Sequence, residues 1–167
     1  MWESGRHGKW AEWISLLARS SLPLSFPGNP CEETYKFLNE SDRSILINSN
    51  VDKCDATDLD EQWGWFRVSG DAGNALASNL PPSDSCNGGV RAYLVDDHPS
   101  YGVGDLTLTL CMASKNNNCL NRKSLAVMNC GEFYLYNLFR IRSCASNGWR
   151  YCTNGIGKLC CPVYWVR

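Results

Sequence analysis

Ten cysteines constrain the fold of this 167-residue chain more than any other feature. No two of them have the Cys-x-x-Cys spacing that is typical of zinc ribbons and thioredoxin-like redox sites. Widely spaced cysteines in an even number are typical of a disulfide framework, which forms in an oxidising compartment. We therefore expect a secreted or extracellular protein cross-linked by disulfides. The ten residues are Cys31, Cys54, Cys86, Cys111, Cys119, Cys130, Cys144, Cys152, Cys160 and Cys161.

Length and charge limit the class of protein further. A chain of this length fits one domain with a sizeable apolar core. The 16 basic and 17 acidic residues are scattered without a block of like charge, and the net charge is −1. Because no basic patch is evident, we expect neither nucleic acid nor an anionic membrane as a partner.

Residues 1–30 have the features of an atypical leader. Arg6 and Lys9 precede an apolar stretch, as in a signal peptide, but Glu12 and Arg19 interrupt that stretch. The same charges argue against a transmembrane helix, so we expect no membrane insertion by this chain. We expect the true N-terminus to be missing or wrongly assigned. A short amphipathic helix is predicted from the apolar residues that share one helical face, Trp10, Trp13, Ile14 and Leu17.

From Cys31 onwards, short apolar runs alternate with turns rich in Gly, Pro, Asn and Asp. The clearest run is DLTLTLCM, in which every second residue from Leu106 to Leu110 is apolar, as in a half-buried strand. This texture predicts a mainly β fold, with a small α+β fold as the other possibility. We expect a single extracellular domain of short antiparallel strands, cross-linked by disulfides. The predicted core residues are Trp65, Leu108, Leu110, Phe133 and Leu135.

The segment FYLYNL, residues 133–138, is the most aromatic of these runs. Its alternation places Phe133, Leu135 and Asn137 opposite Tyr134, Tyr136 and Leu138. Such a segment is usually a core strand held at its ends by half-cystines. The Tyr134/Tyr136 face could instead be an aromatic platform for a ligand. We predict the core strand and keep Tyr134 and Tyr136 as a candidate recognition face.

Polar residues give little indication of catalysis. His98 is the only histidine outside the leader, and no Gly-x-Ser-x-Gly motif is present to supply a nucleophile beside it. Asp96, Asp97 and His98 could bind a metal ion, but a polar turn fixed by Pro99 is the better interpretation. We expect no catalytic residues, no metal and no cofactor.

A second acidic run lies between residues 52 and 62. It lacks the spacing and the central glycine of an EF-hand calcium loop, so we interpret it as a solvated acidic loop. Its acidic residues are Asp52, Asp55, Asp58, Asp60 and Glu61.

One glycosylation sequon occurs in the chain, Asn39-Glu40-Ser41. It lies in the polar stretch from Asn39 to Arg43, which we expect to face solvent. Because the cysteines indicate a secretory protein, we predict that Asn39 carries an N-glycan.

Four motifs occur in a fixed order among the cysteines: GWFRVSGDAG, YLVDDHPS, MNCGEFYLYNL and RYC. With the pair Cys54-Asp55 they resemble the eight-cysteine domain of the uromodulin and zymogen-granule membrane glycoprotein family, over residues 31–152. The resemblance implies a mainly β, disulfide-bonded extracellular module without enzymatic activity, beside other extracellular modules. Residues 153–167 then correspond to the truncated start of a following segment.

The family's disulfide pattern, carried onto this sequence, implies four bridges. Relatives with ten cysteines add one near Leu80 and another just before Cys119, where this chain has Asn118. Both are absent here, as expected for the loss of one bridge. Cys160 and Cys161 fall outside the domain. The implied pairs are Cys31–Cys130, Cys54–Cys144, Cys86–Cys152 and Cys111–Cys119.

The resemblance also implies a role, which is the display of N-glycans to bacterial fimbrial lectins. The family's principal glycan positions, late in the domain, have no sequon here, so Asn39 would have to serve. The leading hypothesis is a non-enzymatic extracellular recognition or adhesion module, part of a larger secreted or surface glycoprotein, with a glycan-binding or protein ligand. The alternatives are a structural spacer in a matrix or filament protein and a small secreted hydrolase.

Overall fold

A computed structural model describes residues 28–48, 51–59, 64–139, 144 and 148–155. The helix predicted around Trp10, the rest of the leader up to residue 27, and Cys160 and Cys161 lie outside these ranges. Among the described residues, no helix is both long and apolar enough to cross a membrane.

The described chain forms one seven-stranded sheet in the order β1-β2-β6-β5-β4-β3-β7. The predicted mainly β fold is confirmed. In the part of the chain that the structure describes, helical structure is limited to a single α-helical turn, α1 (Asp55–Asp58), and two 3₁₀ turns, Ser41–Arg43 and Gly70–Ala72. The strands are β1 (Lys36–Leu38), β2 (Gly64–Val68), β3 (Val90–Leu94), β4 (Asp105–Ser114), β5 (Asn117–Asn129), β6 (Tyr134–Leu138) and β7 (Trp149–Tyr151).

Strand direction and length differ in part from the prediction of short antiparallel strands. The four inner pairings are antiparallel, but β1 runs parallel to β2 and β7 runs parallel to β3, at the two edges of the sheet. Strands β4 and β5 are long, with 10 and 13 residues, and form one hairpin. Parallel neighbours require long connections, and these connections contain α1 and the polar turns discussed below.

The main apolar core lies on one face of the sheet. Because side chains alternate along a strand, Leu108, Leu110 and Met112 of β4 point into this core, while Cys111 and Ala113 point to the other face. Residues from all seven strands contribute, and Ala72 and Leu76 close the core from the segment after β2.

A smaller cluster on the opposite face is built largely from half-cystines. Cys86, Cys111 and Cys152 are buried there with Tyr93 and Ala113. Two disulfides, Cys86–Cys152 and Cys111–Cys119, therefore supply apolar volume as well as cross-links.

The described residues contain four disulfides, and they are the four pairs that the resemblance implies. Two of them close very long loops, since Cys31–Cys130 and Cys54–Cys144 join residues 99 and 90 positions apart. Cys111–Cys119 spans only 8 positions, across the end of the β4–β5 hairpin.

The predicted core is right for its leucines and wrong for its aromatic residues. Leu108, Leu110 and Leu135 are buried, whereas Trp65 and Phe133 are only half-buried. Both rings lie on the face opposite the main core, because their neighbours Phe66 and Tyr134 occupy the core side.

Candidate functional site

The predicted recognition face of β6 is part of the core, so Tyr136 cannot meet a ligand there. Its side chain is 0% exposed, and Tyr134 packs against the same core. The Tyr136 hydroxyl can be buried because it has two partners: the Leu76 N–H donates to it at 3.1 Å, and His98 Nε2 lies 2.8 Å away. Burial raises the pKa of Tyr136, so this hydroxyl stays protonated.

His98 is held as a structural group by these tyrosines. Its ring centroid lies 4.6 Å from that of Tyr134. Burial lowers the pKa of His98, although the nearby charge of Asp97 opposes the shift. The neutral imidazole is hydrogen-bonded to Tyr136 through Nε2, and its tautomer decides which of the two groups donates.

The other acidic residues near His98 do not converge on it as metal ligands. Asp96 instead accepts a hydrogen bond from the Thr109 N–H at 2.5 Å, which fixes the loop between β3 and β4. Within the described ranges, no group of three or more His, Cys, Asp or Glu side chains could hold a metal ion.

The acidic run after Lys53 contains a buried residue, which corrects its interpretation as a solvated loop. Asp55 lies 2.7 Å from Arg43, and neither side chain exposes any surface. The Tyr151 N–H donates to the same carboxylate at 2.8 Å. Asp52 is exposed, as predicted for the loop, and Asp60 lies outside the described residues.

The hydrogen bond from the Tyr151 N–H to Asp55 connects two of the sequence motifs. Asp55 follows the half-cystine Cys54, and Tyr151 precedes the half-cystine Cys152, so the hydrogen bond joins the motifs Cys-Asp and Arg-Tyr-Cys. It also ties α1 to the edge strand β7. Asp55 and Arg43 therefore have a structural role in this part of the molecule.

A second ionic group extends the network towards the surface. Asp42 lies 2.6 Å from Arg150 and 2.5 Å from Lys53, and Asn87 donates to it at 3.3 Å. Burial alone would raise the pKa of Asp42, but the hydrogen bond from Lys53 and the charge of Arg150 lower it. The polar stretch from Asn39 to Arg43 was predicted to face solvent. Its last residue departs from that prediction, because Arg43 is fully buried.

An exposed aromatic surface lies on the outer face of β1, β2 and β6, opposite the main core. Phe37 and Arg67 are paired across β1 and β2. The Arg67 guanidinium lies 4.1 Å from the Phe133 ring centroid and donates to the Tyr35 hydroxyl at 3.4 Å. Tyr35 contacts Phe37 and Phe133, with ring centroids 5.6 and 5.4 Å apart. We define Tyr35, Phe37, Trp65, Arg67 and Phe133 as the outer aromatic face.

Asn39 lies directly beside this face. It follows β1, and the exposed residues Phe37 and Asn39 flank Leu38, which is fully buried in the core. Because Leu38 points inward, both neighbours point outward. Ser41, the third residue of the sequon, is also exposed.

The chain on the far side of Asn39 is anchored as well. Glu40 lies 2.6 Å from the buried Arg43. Burial would raise the pKa of Glu40, but the charge of Arg43 lowers it, so the carboxylate stays ionised. The sequence predicted the site at Asn39, but Phe37 was not predicted to be part of it. The alternation in Phe37-Leu38-Asn39 is the available signal, because residues 37 and 39 then share the face opposite Leu38.

An open groove of about 490 Å³ lies beside the disulfide Cys31–Cys130. Two of its polar side chains are already used locally: Asn129 donates to the Pro99 carbonyl and accepts from the Gly131 N–H, and Asn29 accepts from the Cys31 N–H. The groove therefore has few free polar groups to orient a ligand.

Comparison with known proteins agrees with this architecture. The family model for the uromodulin-like eight-cysteine domain matches residues 66–153, which run from β2 to just beyond β7. The chain is 30% identical over 131 residues to the pancreatic secretory granule membrane major glycoprotein GP2 of Mus musculus. It is 31% identical over 127 residues to the uromodulin of Rattus norvegicus.

These alignments cover 75% of this chain but only 23% of the GP2 glycoprotein and 18% of rat uromodulin. The chain thus spans only a small part of the length of the curated relatives it matches. With the family match over more than half of its residues, the chain belongs to the uromodulin-like eight-cysteine domain family.

Proposed function

We propose that this chain is a non-enzymatic extracellular recognition or adhesion module of a larger secreted or surface glycoprotein, and that it presents an N-glycan at Asn39. We place the module at residues 31–152. Family membership supports the extracellular setting, because one relative that matches this chain is named as a glycoprotein of the pancreatic secretory granule membrane. The short coverage of those relatives supports the presence of neighbouring modules in the whole protein.

The observation that carries the proposal is the exposure of Asn39 and Ser41 at the end of an edge strand. An acceptor asparagine must be accessible and must be followed, two residues later, by a serine or threonine. The chain on either side is anchored by buried Leu38 and by the Glu40–Arg43 ion pair. A glycan there would leave the domain at a fixed point.

Two further observations favour recognition over hydrolysis. His98, which a histidine-dependent hydrolase would use as its base, is hydrogen-bonded to the Tyr136 hydroxyl and packed on Tyr134. The groove beside Cys31–Cys130 lacks the convergent free polar groups of an active site, since Asn29 and Asn129 are engaged by the backbone.

The test compares two substitutions at one position, in protein secreted by eukaryotic cells. Ser41→Ala removes the sequon without altering Asn39, whereas Ser41→Thr preserves it. We expect an endoglycosidase to reduce the mass of the wild type and of Ser41→Thr but not of Ser41→Ala. We also expect a mannose-specific lectin to bind only the first two.

A wild-type protein without an endoglycosidase-sensitive mass, or lectin binding that persists in Ser41→Ala, would contradict glycan display. Recognition of a protein ligand through the outer aromatic face would then be the better proposal, because its exposed Phe37 ring is 53% accessible. In that case Phe37→Ser should reduce adhesion while Ser41→Ala leaves it unchanged.

A further inference from the structure

We propose that the first sugar of the Asn39 glycan packs against the ring of Phe37, so that the outer aromatic face includes a built-in carbohydrate contact. The inference rests on the proposed glycosylation of Asn39 and goes beyond it by naming the residue that orients the glycan. The group that covers the exposed Phe37 ring is thus the glycan of this same chain rather than an external ligand.

The first argument is distance. Phe37 lies in β1 and Asn39 is the first residue after it, so their Cα atoms are at most about 7 Å apart. Both residues are exposed, whereas Leu38 between them is buried. An N-linked N-acetylglucosamine begins at the side-chain nitrogen of Asn39. A pyranose ring attached there lies within reach of the phenyl ring one pleat away.

The second argument is the state of the Phe37 ring. It is 53% exposed, so folding leaves about half of this ring in contact with water. Its contact with Tyr35 is edge-on, with an interplanar angle of 70°. That contact holds the orientation of the ring without stacking on it.

The third argument is that, among the residues that the structure describes, no neighbouring side chain is seen to occupy this space. The guanidinium of Arg67, the register partner of Phe37, lies over Phe133 instead. Gly70, beside Asn39, has no side chain that could fill this space, and an added Cβ there would meet only the Asn39 Cβ, at 3.9 Å. Within the described residues β1 has a strand neighbour only on the β2 side.

The chemistry of the contact is complementary. The axial C–H groups on one face of N-acetylglucosamine carry partial positive charge, and the face of a phenyl ring is negative. Stacking would also cover apolar surface of Phe37 that folding leaves in water. The glycan should therefore stabilise the folded state through this one ring and should be held in a preferred direction.

The experiment uses secreted protein that carries high-mannose glycans, trimmed by an endoglycosidase to one N-acetylglucosamine on Asn39. Proton NMR of the acetyl methyl group reports ring stacking, because a phenyl face shifts that signal upfield. We expect an upfield shift in the wild type and a signal at the value of a free glycopeptide in Phe37→Leu. Tyr101→Leu is the matched control, since Tyr101 is an exposed ring that lies away from the sequon in the chain, and its replacement should leave the signal unmoved.

A stability cycle gives a second, independent readout. We compare the unfolding equilibrium constants of four proteins: wild type, Ser41→Ala, Phe37→Leu and the double variant. The single sugar should lower the unfolding constant roughly two- to tenfold when Phe37 is present, as for a single aromatic contact, and by less than twofold when it is leucine.

The outcomes separate the two proposals. A wild type with no sugar on Asn39 would overturn both the glycan display and the contact with Phe37. A glycosylated wild type with an unshifted methyl signal, and a sugar effect equal in the phenylalanine and leucine backgrounds, would overturn the contact alone.

Discussion

The Nη1 atom of Arg43 lies 2.7 Å from one carboxylate oxygen of Asp55 and 2.8 Å from the other, and neither side chain exposes any surface. This pair links the segment after β1 to α1, and the Tyr151 N–H extends the link to β7. It therefore joins chain segments that are distant in sequence and that the sheet alone does not connect.

Neutralising Asp55 should destabilise the domain strongly. Asp55→Asn keeps the shape and a hydrogen-bond acceptor for Tyr151, but it leaves the Arg43 charge buried without its carboxylate. We expect a loss of about 3–5 kcal/mol in the free energy of unfolding, measured by urea denaturation with the disulfides intact. Asp52→Asn, in the exposed part of the same loop, is the control and should change stability little. Equal effects of the two substitutions would contradict the buried pair.

The contact between His98 and Tyr136 should make stability depend on pH. Because burial lowers the pKa of His98 below its ordinary value of 6.5, the unfolded chain binds a proton more readily than the folded chain. The stabilising contribution is complete above pH 6.5 and is lost as the pH falls towards the lower folded value. Thermal unfolding measured between pH 7 and pH 5 should show this decline, and His98→Gln should flatten it. A decline that is unchanged in His98→Gln would assign the effect to other groups.

The contribution of each disulfide to the free energy of unfolding should increase with the length of the loop that it closes. Replacing both members of Cys31–Cys130 by serine opens a loop of 99 positions, whereas replacing Cys111–Cys119 opens one of 8. The chain-entropy relation gives about 4.7 kcal/mol for the first and ~2.5 kcal/mol for the second. We expect the secreted yield and the midpoint of denaturation to fall more for the long loop.

Peptide mapping without reduction provides the direct check on the pairing itself. Recovery of a Cys130–Cys144 peptide, or of free thiols among these eight cysteines, would contradict it.

Leu135 and Phe133 lie on the face of the sheet opposite the main core. They should respond differently to truncation, because they differ in burial. Leu135 is fully buried, so Leu135→Ala should cost about 2–5 kcal/mol in the free energy of unfolding. Phe133 is half-buried on the outer aromatic face, so Phe133→Ala should cost less than the ~3–5 kcal/mol typical of a fully buried ring. Chemical denaturation of the two variants measures the difference. A larger loss for Phe133→Ala would mean that its ring is a core residue after all.

The sequence by itself determined the class of fold and the places of strands β4 and β6, but not of the two edge strands β1 and β7. Alternation along a strand is a local property, so the run from Leu106 to Leu110 indicated β4 without knowledge of its neighbours. The cysteines indicated a disulfide framework for the same reason, since their number and the absence of metal-binding spacing are visible in the chain alone. The sequon at Asn39 is equally local.

Only the tertiary structure decided which face of a strand is inside. Alternation places Phe133 and Tyr136 on opposite faces of β6, but both residues are apolar enough for either side. The choice depends on partners for the Tyr136 hydroxyl, and these come from Leu76 and His98, 60 and 38 positions away. Asp55 is a similar case: an acidic residue in a polar run is normally solvated, and it is buried here because Arg43 and the Tyr151 N–H, 12 and 96 positions away, satisfy its charge. Contacts between such distant residues leave no periodic trace in a single sequence.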